Sequence, residues 1–270
     1  MNENLSRGYL LEPYRLFHST DRRDADFDAH SHDFHKMVLC LQGHVTYIME
    51  GNSYELQPWD MLLIPEHQIH RSIMHGNTLY ERMILWVNDD FLSSFQEEAL
   101  RRPFLRPMLY RPKPHKRAPL VDKLTEMERC EKGTLPGRKL LQDTYLIQFL
   151  LALSGQLAAD AAMPGGAVRT DPKVHEILSY INGNLKEILT VESLSRQFFI
   201  SPSHLMHSFR AHTGCSVHQY ILQKRLTYAF DRIREGKGVV ETAGQAGFGD
   251  YSAFLKAFRR QYGCSPREIK

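Results

Sequence analysis

The chain has 270 residues, 42% hydrophobic and 24% charged, which is ordinary globular usage and enough apolar material for two modest cores without a staple of disulfides or metal. Its four cysteines, Cys40, Cys130, Cys215 and Cys264, are scattered with no C-x-x-C pair, which argues against a disulfide framework or a zinc ribbon and suits a reducing cytoplasm. The net charge of +3 hides an asymmetry: 14 Lys/Arg face 8 Asp/Glu from Lys173 onward, against 20 and 23 before it. A basic half beside a mildly acidic one points to a polyanion partner for one domain, although a solvated basic surface fits the same numbers.

The N-terminus, Met1-Asn2-Glu3-Asn4-Leu5, lacks the basic-then-apolar layout of a signal peptide. Residues 10–17, 37–41, 45–49, 61–64 and 80–87 are short runs rich in β-branched and aromatic residues, and read as strands. Gly43 and the stretch from Glu50 to Ser53 read as turns, so 45–49 and 53–56 make a hairpin. Many short strands before any long helix favour a sandwich or barrel.

Helical signals follow. Asn88-Asp89-Asp90 is a capping stretch for a helix over 91–100, and 118–131 and 138–157 have helical spacing. In the last of these Leu140, Leu141, Thr144, Leu146, Ile147, Leu150 and Leu151 form a broad apolar stripe. Packing onto its own barrel and dimerisation through Leu140, Ile147, Leu150 and Leu151 fit that stripe equally. The stretch 145–159 is broken by Gln148, Ser154, Gly155 and Gln156 and is too short and polar to span a bilayer, so a soluble cytoplasmic protein without a membrane partner is expected. Small residues, Pro164 and paired glycines mark an interdomain linker at 160–170, dividing a unit over 1–159 from one over 171–270.

The second unit contains an internal repeat. A slide of 49 residues brings Ser201 onto Asp250, Ser203 onto Ser252, Leu205 onto Phe254, Phe209-Arg210 onto Phe258-Arg259 and Gly214-Cys215-Ser216 onto Gly263-Cys264-Ser265. The same slide sets Val191 on Val240, Ser195 on Gly244 and Phe199 on Phe248. Each match has a structural task. Ser201 and Asp250 are N-caps, the apolar pairs four apart mark buried faces, and Gly214 and Gly263 stop helices. Ser195 and Gly244 read as small positions where two helices approach.

Helix, tight turn and capped helix make a helix-turn-helix, whose second helix enters the major groove. Between the copies, 217–234 is an amphipathic helix with Leu222, Leu226, Ala229 and Ile233 on one face. Its length of roughly 27 Å can set two readers about one DNA turn, ~34 Å, apart. A helical repeat that binds proteins is the competing reading. Two units are too few for a solenoid, and it leaves the basic balance unexplained.

These residues resemble the AraC/XylS family of transcription regulators. The carrying stretch is Gly247-Phe248-Gly249-Asp250-Tyr251-Ser252-Ala253-Phe254, then Phe258-Arg259-Arg260 and Gly263-Cys264-Ser265-Pro266. Leu205, Phe209, Gly214, Arg225 and Ala229 also fall where the family pattern expects them, while Ser195 and Gly244 stand where it usually has alanine. By motif position the resemblance implies base contacts from Ser203, His204, Met206 and His207 in the first unit and Tyr251, Ser252, Leu255 and Lys256 in the second. It implies phosphate contacts from Ser201, Arg210, Arg259 and Arg260. Lys256 suits guanine O6/N7, and Met206 or Leu255 a thymine methyl. Double-stranded DNA, RNA polymerase and a second copy of the chain are the implied macromolecular partners, with activation the implied outcome.

The N-terminal unit resembles the cupin-like domain attached to many such regulators, through His30-Ser31-His32-Asp33-Phe34-His35, Gly43, Pro58-Trp59-Asp60, Ile64-Pro65 and His70. The expected fold class is therefore α+β multidomain: a cupin-like β-barrel with trailing helices, then an all-α double helix-turn-helix. His30, His32 and His70 echo the histidines of metal cupins, but Lys36 stands at the expected carboxylate, where an ammonium opposes a dication. An organic effector, by the resemblance a carbohydrate, is therefore expected among His30, His32, His35, Lys36, His70 and Trp86, with no metal, cofactor or catalytic residue assigned. A metal-responsive regulator and a cupin enzyme fused to a helical domain are the alternatives. No nucleophile–base pair or phosphate loop supports an enzyme.

Overall fold

The computed structural model describes residues 9–21, 29–75, 79–134, 136–160, 168–169 and 171–269. The N-terminal residues weighed for a signal peptide lie outside them. Two antiparallel sheets build the first half. One has the order β1 (Tyr14–Asp21), β7 (Tyr80–Val87), β2 (His35–Gln42), β5 (Met61–Ile64), β8 (Met108–Tyr110); the other has β6 (His70–Met74), β3 (Val45–Met49), β4 (Asn52–Leu56), β9 (Val168–Arg169). The β3–β4 turn places Glu50 and Gly51 at φ 49° and 75°, the pair of positive values that a two-residue hairpin turn requires.

Alternation along β2 explains why both its faces are buried. Val38 and Cys40 point toward the second sheet, onto Tyr47, Tyr54 and Leu56. Met37 and Leu39 point outward, onto helices α3 (Pro114–Lys132) and α4 (Arg138–Ala159). A strand covered on both sides reads as a continuous apolar run. The expected helix over 91–100 is instead two short ones, α1 (Asp89–Ser93) and α2 (Glu98–Arg101), with Gln96 at φ 51° between them. Ser94 Oγ donates to Phe91 O at 2.7 Å and Glu97 caps the second helix, so local side-chain bonds outcompete a continuous ladder.

Helix α4 has two apolar faces. Leu146, Phe149, Leu150 and Leu153 are fully buried against the first sheet, with Ile147 half-buried at the margin. Leu140, Leu141 and Leu151 lie on the outer surface, exposed by 71%, 39% and 42%. Of the four residues expected at a dimer contact, the structure therefore turns Leu140 and Leu151 outward and Leu150 into its own core. Residues 161–167 and 170 of the expected linker lie outside the described residues, and Val168 and Arg169 pair with Ser53 and Asn52 as β9.

The second half is helical: α5 (Pro172–Gly183), α6 (Val191–Phe198), α7 (Pro202–Thr213), α8 (Val217–Arg234), α9 (Val239–Gln245) and α10 (Tyr251–Tyr262). It has two cores, and α8 serves both. Val217, Tyr220 and Ile221 pack with α5, α6 and α7, whereas Leu226, Ala229, Phe230 and Ile233 pack with α9 and α10. The 49-residue repeat holds for α7 and α10: Leu205, Phe209, Phe254 and Phe258 are all fully buried, and Gly214 and Gly263 cap the two helices at φ 81° and 74°.

The register fails upstream of those helices. In α9 Ala243 is the buried small residue matching Ser195, while Gly244 is exposed and a Cβ there would meet nothing within 4 Å. The helices close on Phe199 at φ 55° and on Gly247 at φ 86°, which are 48 residues apart. The first-helix alignment is thus corrected by one, Val191 matches half-buried Val239 rather than exposed Val240, and the second turn holds one more residue. Gly244 is no helix–helix approach site, and the small residue at the family's alanine position is Ala243.

Candidate DNA-reading surface and effector site

Capping fixes where each second helix begins. Ser201 Oγ accepts the His204 N–H at 3.2 Å, and Asp250 Oδ1 accepts the Ser252 N–H at 2.8 Å. Burying Leu205 and Phe209 turns Ser203, His204, Met206, His207 and Arg210 to the surface. Burying Phe254 and Phe258 likewise exposes Ser252, Lys256, Arg259 and Arg260. Tyr251 and Leu255 are half-buried, because both pack against the second core. Two helix faces therefore present polar, basic and thioether side chains early in the helix, the composition that reads base edges and phosphates.

The far ends of the same helices rest on the first domain. Gln261 Nε2 donates to Ser31 O at 3.2 Å, and Arg71 Nη2 to Ala211 O at 3.3 Å. Helix α8 supplies most of the polar contact. The Tyr220 hydroxyl donates to Glu50, Lys224 pairs with Glu50 at 2.6 Å, Arg234 with Glu66 at 3.4 Å, and Asp231 faces His67 at 3.4 Å. Ile69 from the first domain is buried among Val174, Ile177 and Leu178 of α5. Burial, then the charges of Arg234 and Lys224, push His67 down to about 3.

Above this contact the structure brings His30, His32, Lys36 and His70 together. The rings of His30 and His32 lie 4.5 and 4.9 Å from that of His70, and Lys36 Nζ is 3.3 Å from His70 Nε2. His32 Nδ1 donates to Phe34 O at 2.7 Å and His70 Nδ1 to Gln68 O at 2.9 Å, so both rings turn an unprotonated Nε2 inward. Burial holds both imidazoles well below the usual histidine range, and Lys36 and His30 add to the effect. Trp86 pairs with Lys36 across β2 and β7 and packs at a 32° tilt against Phe34, itself stacked on His32.

His35 is set apart from that group. The period of two along β2 sends it to the opposite face, stacked on Phe104. Its Nδ1 accepts the Glu66 N–H at 3.1 Å, which leaves the proton on Nε2 to be donated to Asp89 at 3.2 Å. That bond, then the Arg101 charge, hold Asp89 down at about 2. His35, Glu66 and Asp89 stand close enough to enclose an ion. With the Nε2 lone pair protonated and Arg101 and Arg234 already paired to the two carboxylates, the donor set suits a hydrogen-bonded relay and does not fit a metal. Arg82 lies on the same face of β7 as Trp86 and is a candidate that sequence reasoning missed; the period of two within 80–87 carries the signal.

The AraC-like ligand binding domain family matches residues 12–164, and a helix-turn-helix domain family matches residues 194–270. The HTH-type transcriptional activators RhaS of Salmonella agona and Salmonella typhimurium are each 25% identical over 251 residues, covering 91% of this chain and 88% of theirs. Among solved structures, ToxT from Vibrio cholerae O395 is 13% identical with a TM-score of 0.42, over 95% of this chain and 98% of its own. The DNA-binding domain of AdpA in complex with a target DNA is 28% identical with a TM-score of 0.35, over 36% of this chain and 88% of its own. An AraC-like ligand binding domain carrying paired helix-turn-helix units identifies the chain as a member of the AraC family of transcription regulators.

Proposed function

We propose that the chain is a sequence-specific transcription activator switched by a carbohydrate bound among His30, His32, Lys36, His70 and Trp86. Residues 1–159 are the sensing and dimerising unit, 160–170 the linker and 171–270 the DNA-binding unit. Ser203, His204, Met206, His207, Tyr251, Ser252, Leu255 and Lys256 contact bases; Ser201, Arg210, Arg259 and Arg260 contact phosphates. The bound dimer engages RNA polymerase in the cytoplasm.

One observation carries the coupling. Effector residues alternate with docking residues along the chain: His30 adjoins Ser31, which receives Gln261, and His70 adjoins Ile69, which is buried against α5. Lys36 adjoins His35, which receives the backbone N–H of Glu66, the partner of Arg234. An effector that moves one residue moves its neighbour, so differential binding to docked and undocked states shifts their balance.

The test is a thermal-shift screen of the full chain against sugars, sugar acids, small aromatics and divalent metals. A ligand at about 100 times its Kd stabilises by roughly 2.7 kcal/mol. A shift with one sugar class supports the reading. A shift with a metal alone, lost in His30→Ala, replaces it with a metal-responsive regulator.

A further inference from the structure

We infer that the effector is an acidic sugar, a polyhydroxy carboxylate, rather than a neutral one. This deepens the carbohydrate reading above and rests on it. The inward face of β7 carries Tyr80, Arg82 and Trp86 at alternate or near-alternate positions, beside Lys36 of β2. Arg82 and Lys36 put two basic groups in the interior, where their one acidic partner among the described residues is Asp21, at 2.7 Å from Arg82. Arg82 also lies over the Tyr80 ring at 4.4 Å and Lys36 over the Tyr47 ring at 5.9 Å, so aromatic walls hold both heads.

Among the described residues, four buried polar atoms of this set have no hydrogen-bond partner: the Tyr80 hydroxyl, which can donate or accept, and Arg82 Nη1, Trp86 Nε1 and His32 Nε2. Buried polar groups are normally satisfied, and each orphan costs about 1–3 kcal/mol. Arg82 Nη1 and Trp86 Nε1 are donors, and Lys36 adds a third, whose one hydrogen-bond partner among the described residues is His70. Donors on two cations and an indole match the oxygens of a carboxylate. By contrast, His32 Nε2 is an acceptor fixed by its Nδ1 bond to Phe34 O, and an acceptor needs a hydroxyl. A carboxylate alone leaves His32 orphaned, and a neutral sugar leaves Lys36 without a counter-charge and Arg82 with Asp21 alone. A molecule with both groups satisfies the set.

Burial, and then Arg82, bring the Lys36 ammonium down to about 7. His30, His32, His70, Tyr47 and Arg82 are the titratable or charged groups facing it, and none is a carboxylate. An entering anion therefore draws a proton onto Lys36, and affinity falls as pH rises above about 7.

The experiment is titration calorimetry of the full chain with D-glucuronate, D-galacturonate and D-gluconate, beside D-glucose, D-galactose and hexanoate. The expected result is that at least one sugar acid binds about tenfold or more tighter than its neutral parent. That binding takes up a proton, seen by repeating it in buffers of different ionisation enthalpy, and weakens about tenfold in both Lys36→Met and Arg82→Met. Proton uptake in the unmodified chain keeps the test decisive if a variant fails to fold. A neutral sugar binding as tightly as its acid overturns the inference and leaves the carbohydrate reading standing. Hexanoate binding as tightly as the sugar acids overturns both, as does binding of none of the six.

Discussion

Lys224 Nζ stands 2.6 Å from Glu50 Oε1, tying the β3–β4 turn of the sensing domain to the middle of the helix that both DNA-reading units share. Both side chains are about five-sixths buried, and the Tyr220 hydroxyl donates to the second oxygen of the same carboxylate. Glu50→Gln removes the charge and keeps the shape. The docked state should lose about 1–3 kcal/mol, the range for a charge-assisted bond. Differential scanning calorimetry should then resolve two separate transitions in place of a coupled one. A single transition at the original temperature means that the contact does not hold the domains together.

The two helix-turn-helix turns should respond oppositely to glycine chemistry. Phe199 takes a left-handed conformation while 94% exposed, so Phe199→Gly removes backbone strain at no packing cost and should stabilise by about 0.5–1 kcal/mol. Gly247→Ala drives a Cβ into the Leu185 carbonyl oxygen at φ 86° and should destabilise by more than ~2 kcal/mol. Urea unfolding of both variants checks the signs.

Exposed basic side chains of α10 should separate by what they read. Lys256→Ala should weaken specific binding by about 1–3 kcal/mol and barely affect non-specific DNA. Arg260→Ala should weaken both and lower the slope of log K against log salt by about 1. Equal losses for the two variants on both DNAs would overturn the assignment of bases to one and phosphates to the other.

Leu151→Glu and Leu150→Glu, adjacent substitutions on α4, should differ in kind. Leu151 is on the outer face, so its charge should break the proposed dimer and leave the fold intact, read by sedimentation velocity and circular dichroism. Leu150 is fully buried, so a carboxylate there should unfold the domain. A monomeric unmodified chain at micromolar concentration removes the dimer proposal.

Acid should act through Asp89. Its carboxyl is held down at about 2, first by the His35 hydrogen bond and then by Arg101, against about 3.9 in the unfolded chain. A depressed folded value gives stability that is complete above about pH 4 and lost as pH falls toward 2, of the order of 2 kcal/mol. Asp89→Asn should flatten that acid limb in unfolding titrations between about pH 4 and 2.

The DNA-reading half was legible because its signals are local. N-caps, left-handed glycines and aromatics four apart each act within one helix, and Ser201, Asp250, Gly214 and Gly263 all do what their types require. The one-residue slip in the first helices was hidden by a matched phenylalanine: Phe199 and Phe248 align by identity, but the chain turns at Phe199 and Gly247. In the sensing half, histidines adjacent in sequence were grouped together although strand alternation sends His35 and Lys36 to opposite faces. Glu50 and Tyr220 are 170 residues apart, and nothing local to either marks the other as its partner.

Because α8 gives its first half to one core and its second half to the other, it acts as an axle that fixes the angular phase between the two readers. Each residue inserted between Ile221 and Leu226 would turn the second reader by about 100° and advance it by about 1.5 Å. One inserted residue would therefore point α10 away from the groove, whereas seven, close to two full turns, would restore its heading about 10 Å farther along the DNA. Because the major groove recurs only about every 34 Å, a step of about 10 Å still misses it, and the spacing between the two base-contact regions of the operator is expected to be fixed by the length of α8.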